Sequence, residues 1–527
     1  MTRENAIERL RDSSEEFDFL IIGGGATGLG AAVDASSRGY RVALIEQADF
    51  ASGTSSCSTK LVHGGVRYLR QGELGLVRSA LRERALLLKN APHLAWKVPF
   101  VIPNYAWWEG PYYRLGLGVY DRLAGGLSIG RSRWLSRAET VEHLPTIETG
   151  GLSSGVLYYD GQFDDARLAV TLARTAVGEG AALANYCRCV GLLKEQGCIR
   201  GARVRDEESG HEFEVRAKVL LNATGVFVDV LRRFDEPASK SLVAASQGIH
   251  IVLPRRFLPG NSGMMIPRTD DGRVLFAIPW RDRVVVGTTD TGGVEPSMTP
   301  VPLDHEIEFV LAHARKYLTH DPSESDVLSL FAGLRPLVAD QGEQTASLSR
   351  AHTILVSKGN LVTVTGGKWT TYRKMAQESI DCLETVGGMQ HRLCKTEDMK
   401  LYGAVQADAL DTAGLEPYGS DAHQVRALAR MIPGADAKLH PDLPYIEAEV
   451  IWHARNEMAR TVEDVLARRT RALVLDAAAA VAAAPRVASI LAKEMGRDPG
   501  WVVRQLNEFG IYASRWLIGE RAAVLQA

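Results

Sequence analysis

The sequence predicts an α/β fold in three parts: a βαβ domain assembled from segments distant in the chain, a cap built on an antiparallel sheet, and a helical C-terminal domain. Three observations support this prediction. A glycine-rich turn follows a strand near residue 23, similar apolar strands recur far downstream, and strand signals become scarce after about residue 394. A chain of 527 residues is long enough for roughly two to four structural units.

The first element is a glycine-rich turn between an apolar strand, residues 18–22, and a helix rich in small residues. Gly23, Gly25 and Gly28 form the pattern G-x-G-x-x-G, in which missing side chains let a pyrophosphate approach the backbone and the helix N-terminus. A second strand, residues 41–45, ends at Glu46, whose carboxylate could accept a hydrogen bond from a ribose hydroxyl. The turn predicts a dinucleotide site, and its spacing leaves FAD and NAD open.

The later elements complete the predicted fold. Apolar runs at 219–221 and 361–365 join the first sheet, whereas residues 249–254, 274–279 and 284–287 have the signals of antiparallel strands. Residues 421–431, 447–475 and 499–519 have helical spacing. We therefore predict a nucleotide-binding domain at 17–80, 155–245 and 355–390, a substrate cap at 81–154 and 246–354, and a helical domain at 395–527.

Composition narrows the function classes. The formal net charge is −2 and no low-complexity tract is present, so neither nucleic acid nor another polyanion is implied as a partner. The six cysteines include no C-x-x-C pair, and the N-terminus lacks the apolar core of a signal peptide, which predicts a reduced cytoplasmic setting without a metal site. Residues 473–492 include Asp476, Pro485 and Arg486, so we expect no transmembrane helix.

A segment that follows Glu46 favours FAD over NAD. Residues 53–69, GTSSCSTKLVHGGVRYL, resemble the segment that runs under the flavin in FAD-dependent glycerol-3-phosphate dehydrogenases. Further matches follow in the family's order: DDARL at 164–168, NATG at 222–225, GIHIV at 248–252, IPW at 278–280, GTTD at 287–290, GLRPL at 333–337 and GGKWTTYRK at 366–374. The resemblance implies a D-amino-acid-oxidase-like FAD-binding Rossmann domain, a sheet-containing cap and a helical C-terminal domain.

The resemblance also implies which residues hold one noncovalent FAD. The expected cofactor residues are Gly23, Gly25, Gly28, Glu46, Thr54, Ser55, His63, Gly225, Asp290, Gly333, Gly367, Lys368 and Thr370. Lys368 precedes what looks like the start of a helix, so its ammonium and the helix dipole could both stabilise negative charge on the reduced flavin. Two positions depart from familiar members, because Gln247 replaces an expected lysine and Ala351 replaces a common acidic residue.

Glycerol 3-phosphate carries a dianionic phosphate and a secondary alcohol, so its site needs fixed cations and a proton acceptor. Arg67, Arg335 and Arg350 match the family's substrate positions, and Lys368 is expected to assist them. His250 is the preferred base, although a histidine in an apolar strand is more often a core residue. Tyr68 is a second candidate for substrate contact or proton transfer, and packing is its alternative.

With these residues, the resemblance implies hydride transfer from C2 of glycerol 3-phosphate to FAD, yielding dihydroxyacetone phosphate, with electrons passed to a membrane quinone. An oxidase that returns electrons to oxygen shares the same substrate chemistry and stays open. An NAD(P)H-using flavin reductase would ordinarily need a second glycine-rich loop, which the sequence lacks. A noncatalytic flavoprotein is a third alternative if the arginines do not converge. A homodimer is compatible with the sequence.

Arginines alternate with apolar rings in the segment between residues 107 and 137. The set comprises Arg114, Arg122, Arg131, Arg133 and Arg137 with Trp107, Trp108, Tyr112, Tyr113, Leu115, Leu117, Tyr120 and Trp134. Such a surface suits the boundary between lipid headgroups and acyl chains. The alternative is that the rings pack the cap against the FAD domain. The resemblance favours docking to an anionic membrane, on the inner face of the cell membrane.

Overall fold

The computed structural model describes residues 2–12, 16–65, 72–270, 272–338, 352–405 and 414–519. Its strands are β1 (Phe17–Ile22), β2 (Val42–Ile45), β3 (Leu61–Val62), β4 (Ala95–Asn104), β5 (Arg133–Ser136), β6 (Ser154–Phe163), β7 (Ala182–Ala184), β8 (Cys187–Glu195), β9 (Cys198–Asp206), β10 (Glu212–Asn222), β11 (Val243–Pro254), β12 (Gly263–Ile266), β13 (Leu275–Trp280), β14 (Arg283–Gly287), β15 (Thr291–Gly292), β16 (Ser329–Val338), β17 (His352–Val356) and β18 (Leu361–Gly366).

The helices alternate with these strands and then continue alone. They are α1 (Arg3–Arg11), α2 (Ala26–Ser37), α3 (Leu74–Asn90), α4 (Glu109–Ala124), α5 (Arg137–His143), α6 (Asp165–Gly178), α7 (Val228–Asp235), α8 (Asp304–Tyr317), α9 (Tyr372–Val386), α10 (Ala422–Met431), α11 (Glu447–Asn456), α12 (Ala472–Leu475), α13 (Ala477–Met495) and α14 (Pro499–Ser514). A π-helical turn, Asp464–Arg469, lies between α11 and α12.

The first sheet contains the glycine-rich turn. Its order is β17-β18-β10-β1-β2-β7, and β8 and β9 extend it as an antiparallel pair beside β10. The pairs from β18 to β7 are parallel, which explains why β1 and β2 are apolar almost throughout: helices cover both faces of such a sheet. As predicted, this domain collects strands from distant segments.

The second sheet forms the cap. Its order is β15-β11-β14-β13-β12-β4-β6-β3, with β16 paired to β11 and β5 paired to β6. Most pairs are antiparallel, whereas β12 and β4 are parallel. Strands β3 and β6 belong to this sheet, although they fall in segments predicted for the nucleotide-binding domain, because β6 pairs with β4 over its whole length. The domain boundaries remain predictions.

The helices after residue 421 pack on the cap and against the first domain. Trp280 and Phe331 of the cap share a core with these helices. Buried ion pairs also cross the contact: Arg468 Nε and Arg469 Nη1 each lie 2.6 Å from Asp49 Oδ2. The helical domain is therefore joined to the rest through both apolar and charged groups.

Within the described part of the chain, we find no helix that is both long and apolar enough to span a bilayer.

Candidate active site

A cavity of about 770 Å³ is lined by residues from both sheets. Its wall includes most of the predicted site residues: Gly23, Gly25, Glu46, Thr54, Ser55, His63, Gly225, His250, Asp290, Gly333, Arg335, Gly367, Lys368 and Thr370. Gly28 is not in the wall. Arg67, Tyr68, Arg350 and Ala351 lie outside the described residues, so their predicted positions are not tested.

The glycine-rich turn brings the N-terminus of α2 to the cavity. Gly23 has φ +111°, and a Cβ there would lie 2.6 Å from the carbonyl oxygen of Ala223. A Cβ on Gly28 would lie 1.9 Å from the carbonyl oxygen of Gly23. Gly25 is the N-cap of α2 and lines the cavity. The turn thus leaves backbone N–H groups and the positive end of a helix facing a space where a pyrophosphate fits.

Glu46 closes the same end of the cavity. One of its carboxylate oxygens accepts from the Gly24 N–H at 2.6 Å, and the other accepts from the Ala48 N–H at 2.9 Å. Burial raises the pKa of this carboxyl despite those two bonds. Each carboxylate oxygen has a second lone pair, so a ribose hydroxyl can still donate to Glu46.

The segment from Gly53 to Lys60 is held between three elements of the site. Ser55 Oγ accepts from the Ala26 N–H at 3.0 Å, at the start of α2. Thr54 Oγ1 donates to the Leu334 carbonyl at 2.6 Å, and Trp369 Nε1 donates to the Ser55 carbonyl at 2.8 Å. This segment, which we call the flavin loop, is therefore fixed against α2, β16 and the turn that contains Lys368.

Lys368 is the N-cap of a 3₁₀ turn, Trp369–Thr371, that continues into α9. This agrees with the predicted helix start at this position. The preceding Gly366 and Gly367 both have positive φ, +80° and +71°. A Cβ on Gly367 would lie 2.3 Å from Met375 Sδ, so glycine fits this turn on two grounds.

Arg335 is oriented by polar neighbours on the cavity wall. Its Nη2 donates to Thr288 Oγ1 at 3.0 Å, and its Nη1 lies 3.5 Å from Asp290 Oδ1. The guanidinium passes over Gly248, where a Cβ would lie 2.2 Å from Nη2. An arginine held in this way presents a fixed cation to an anionic ligand.

His250 is buried, with 2% of its surface exposed, and its ring stacks on Phe331 at 4.9 Å between centroids. Its Nε2 is 2.9 Å from Thr59 Oγ1, and its buried Nδ1 has no hydrogen-bond partner among the described residues. Burial, followed by the positive charges of Lys60 and Arg335, holds the histidine pKa well below its usual range. The imidazole is therefore neutral near pH 7 and able to accept a proton.

Sequence reasoning missed four side chains that support this wall. Thr59 and Lys60 stood in the quoted flavin-loop motif and Asp165 in the quoted DDARL motif, without assigned roles. Arg471, from the helical domain, reaches Asp165 Oδ1 at 3.0 Å. Lys60 stands in a polar loop in the sequence, and only the structure shows that it is buried and paired, so no local signal assigned it a role.

Gln247, the first departure from the family pattern, is buried behind the cavity wall. Its Nε2 donates to Glu306 Oε2 at 2.7 Å and to the Val301 carbonyl at 2.9 Å. Glu306 also accepts from Thr289 Oγ1 at 2.9 Å. The amide therefore satisfies this carboxylate by hydrogen bonding where a lysine would do so by charge.

One cluster in the described residues has the composition of a metal site, namely Asp381, Glu384 and His391. Arg38 Nη1 lies 2.6 Å from Asp381 Oδ1 and 3.1 Å from Glu384 Oε1, so a guanidinium already contacts both acids. The absence of a metal remains a prediction.

Comparison with known families defines the class of protein. Residues 18–373 match the family of FAD dependent oxidoreductases, and residues 366–500 match the C-terminal domain of alpha-glycerophosphate oxidase. The predicted fold class is confirmed, and the protein is an FAD-dependent oxidoreductase with a helical C-terminal domain.

Similar proteins define the family more narrowly. The mitochondrial glycerol-3-phosphate dehydrogenase of Mesocricetus auratus is 40% identical over 535 residues, which cover 95% of this chain and 73% of the relative. The structure of glycerol-3-phosphate dehydrogenase from Bacillus halodurans, complexed with FAD, has a TM-score of 0.81 at 27% identity and covers 98% of this chain and 97% of its own. The chain therefore belongs to the family of FAD-dependent glycerol-3-phosphate dehydrogenases.

A more distant structure shares the fold alone. L-alpha-glycerophosphate oxidase from Mycoplasma pneumoniae, with FAD bound, has a TM-score of 0.57 at 18% identity. The match covers 72% of this chain and 97% of that chain.

Proposed function

We propose that the protein oxidises sn-glycerol 3-phosphate to dihydroxyacetone phosphate and that a membrane quinone receives the electrons. FAD, when bound, supplies the hydride acceptor. The chain's own residues bind the phosphate, orient the alcohol and accept its proton. An oxidase that uses oxygen is the second candidate, and it is favoured by the match of residues 366–500 to an oxidase domain.

The observation that carries the proposal is the placement of a cation and a base on one face of β11. Arg335 lies on β16, and its guanidinium passes over Gly248 of β11. His250 is the next residue on the same face, because side chains two apart in a strand point the same way and lie about 7 Å apart. Glycerol 3-phosphate can therefore place its phosphate on Arg335 and its C2 hydroxyl towards His250.

His250 is proposed to take the proton through Nε2. Its Nδ1 is enclosed, whereas Nε2 shares a hydrogen bond with Thr59 Oγ1, and both residues line the cavity. Thr59 fixes the orientation of the ring, and a neutral imidazole is the form that accepts a proton. Arg67, Arg350 and Lys368 stay predicted partners of the phosphate, and Tyr68 stays a predicted second proton carrier.

Arg335→Ala is expected to weaken turnover of glycerol 3-phosphate much more than FAD binding. The loss of a charge-assisted contact to phosphate costs about 1.5–3 kcal/mol, roughly ten- to a hundredfold in kcat/KM. Steady-state kinetics and flavin content measure the two effects separately. Arg256→Ala is the control, because that arginine is exposed and pairs with Asp326 outside the cavity. Unchanged kinetics for Arg335→Ala would remove this residue from the site.

The surface around α4 supports membrane docking. Leu117, Tyr120 and Ala124 form its buried face. Trp107 and Leu115 are 85% and 74% exposed, and Trp108, Tyr112 and Trp134 are also exposed. The arginines at 114, 122, 131, 133 and 137 are exposed as well.

This division into a buried and an exposed face supports docking as the role of the exposed residues. Leu117 and Tyr120 pack inward. What we call the α4 surface consists of the exposed apolar side chains Trp107, Trp108, Tyr112, Leu115 and Trp134 together with the exposed arginines. We propose that this surface rests on an anionic membrane at the inner face of the cell membrane, where it gives the flavin access to a quinone confined to the bilayer.

Acceptor preference and lipid binding are tested together. One preparation should reduce a quinone analogue much faster than oxygen, and it should bind anionic liposomes in a manner that weakens at rising salt, because the cations of the α4 surface attract lipid headgroups. Trp107→Ala with Leu115→Ala should reduce liposome binding. The matched control is Val503→Ala with Ile511→Ala, two exposed apolar residues on α14. Rapid peroxide formation, slow quinone reduction and no liposome binding would contradict the proposed dehydrogenase and favour a soluble oxidase.

A further inference from the structure

The end of the flavin loop takes part in a group of buried charges that the proposed reaction does not use directly. Lys60, Asp165 and Arg471 are each 0% exposed. Lys60 Nζ lies 2.7 Å from Asp165 Oδ2, and Arg471 Nη2 lies 3.0 Å from Asp165 Oδ1. Two cations from distant parts of the chain therefore share one carboxylate, and we call these three residues the buried triad.

The triad binds the backbone of the flavin loop at several points. The Ser56 carbonyl accepts from Lys60 Nζ at 2.7 Å and from Arg471 Nη2 at 2.9 Å. Asp165 Oδ2 accepts from the Ser58 N–H at 3.1 Å and from Ser58 Oγ at 2.7 Å. These contacts fix the residues on both sides of Thr59, since Ser58 precedes it and Lys60 follows it.

Backbone conformation gives an independent sign that this arrangement is held in place. Lys60 has φ +63° and Arg471 has φ +69°. Residues other than glycine rarely adopt this left-handed region, and they keep it where surrounding contacts determine the local structure. Both cations of the triad are such residues.

We propose that Arg471, contributed by the helical C-terminal domain, and Lys60 are positioning residues that hold Thr59 so that it orients His250 for proton transfer. This inference rests on the proposed role of His250 as the base. The guanidinium suits the task because its planar fork donates to Ser56 and Asp165 from one nitrogen while Nη1 donates to the Ala467 carbonyl at 2.8 Å. A lysine ammonium cannot reproduce that geometry.

The triad also contributes charge to the wall behind His250. Lys60 Nζ lies 4.9 Å from the centroid of the Phe331 ring, on which the His250 ring stacks. The charged and titratable groups around the triad and His250 are Arg281, Arg335, Asp164, Asp290, Cys57, Tyr445 and Tyr512. Desolvation lowers the pKa of Lys60 to about 8. Loss of the positive charge of Lys60, which helps to lower the pKa of His250, should therefore move the pH profile of flavin reduction as well as its rate.

The test is Arg471→Lys in the full-length enzyme with FAD bound. We expect it to slow single-turnover flavin reduction by glycerol 3-phosphate by about 10- to 100-fold, the range for a catalytic group displaced by a fraction of an ångström to an ångström. The dissociation constant of the substrate and the FAD content should change little. Ser58→Ala, which removes one hydroxyl contact to Asp165, is a milder second variant that should slow the same step.

Arg167→Lys is the matched control. Arg167 is also a buried arginine, and it joins the first domain to the helical domain through Glu457, at 2.6 and 2.9 Å. None of its hydrogen bonds reaches the flavin loop. The Arg167→Lys variant should lower the melting temperature as much as Arg471→Lys does, while its flavin reduction stays near the wild-type rate. Equal slowing by the two variants would overturn the proposal, and so would a wild-type rate for Arg471→Lys.

A double-mutant cycle with Thr59→Val tests the route of the effect. If Arg471 acts through Thr59, Arg471→Lys should add little slowing in the Thr59→Val background, and Thr59→Ser should recover most of the rate because it keeps the hydroxyl. Full additivity would overturn the proposal. Should His250→Asn leave flavin reduction unchanged, the proposed role of His250 as the base fails; should only Arg471→Lys be silent, this inference fails alone.

Discussion

Replacement of His250 by Asn is expected to slow flavin reduction by glycerol 3-phosphate by about 10²- to 10⁴-fold, the usual contribution of general acid–base catalysis. The physical reason is that the neutral imidazole of His250 accepts the proton of the C2 hydroxyl, whereas an amide does not. The measurement is anaerobic single-turnover absorbance of the flavin. Reoxidation of the reduced enzyme should keep its rate, because the base acts only while the alcohol is oxidised.

The pH dependence of the wild-type enzyme adds a check on this prediction. Burial and the positive charges of Lys60 and Arg335 lower the pKa of His250 well below 6.5, so the ring stays neutral as the pH falls through 6.5. Flavin reduction should therefore hold its rate there and decline only at more acidic pH.

His313→Asn is the matched control for His250→Asn, since His313 is another buried histidine of the cap. If His250→Asn slowed reduction and reoxidation equally, the residue would be structural.

Gly28→Ala is expected to abolish FAD binding or nearly so. The added methyl group would lie 1.9 Å from the Gly23 carbonyl oxygen, which belongs to the backbone and cannot move aside as a flexible side chain would. Helix α2 would have to shift from β1, and the N–H groups that face the pyrophosphate would shift with it. Visible absorbance after reconstitution with FAD measures the loss.

The control for this substitution is Gly178→Ala at the end of α6. Among the described residues, nothing beyond the adjoining backbone of its own helix lies within 4 Å of the Cβ position there. This variant should bind FAD as the wild type does. A Gly28→Ala protein with full flavin content and an unchanged spectrum would contradict the close approach of α2 to β1.

Local patterns were sufficient to predict several parts of the site. The turn at Gly23, Gly25 and Gly28 follows from a strand, a helix and their short connection, all contiguous in sequence. His250 and Arg335 came from matched motifs, and the structure places both in the cavity wall. Their chemical roles remain predictions, as do those of Arg67, Tyr68 and Arg350.

Long-range pairing was beyond such reasoning. Arg471 donates to a carbonyl 415 residues away, at Ser56, and no local pattern encodes that contact. The assignment of β6 to the cap depends on its pairing with β4, which its own residues do not specify. The buried and exposed faces of α4 were easier to predict, since Leu117, Tyr120 and Ala124 recur at helical spacing and indicate one buried face.

The charges between the domains also limit how such proteins can change. Asp49 lies in the first domain and its two arginine partners lie in the helical domain, whereas Arg167 lies in the first domain and its partner Glu457 in the helical domain. A buried charge that loses its partner is strongly destabilising, so either side can be replaced only together with the other. A chimera that takes its helical domain from another flavoprotein would contain buried carboxylates and guanidinium groups without partners of opposite charge. Substitutions at these positions are therefore expected to spread through a lineage in compensated pairs, and the two domains to be inherited as one unit.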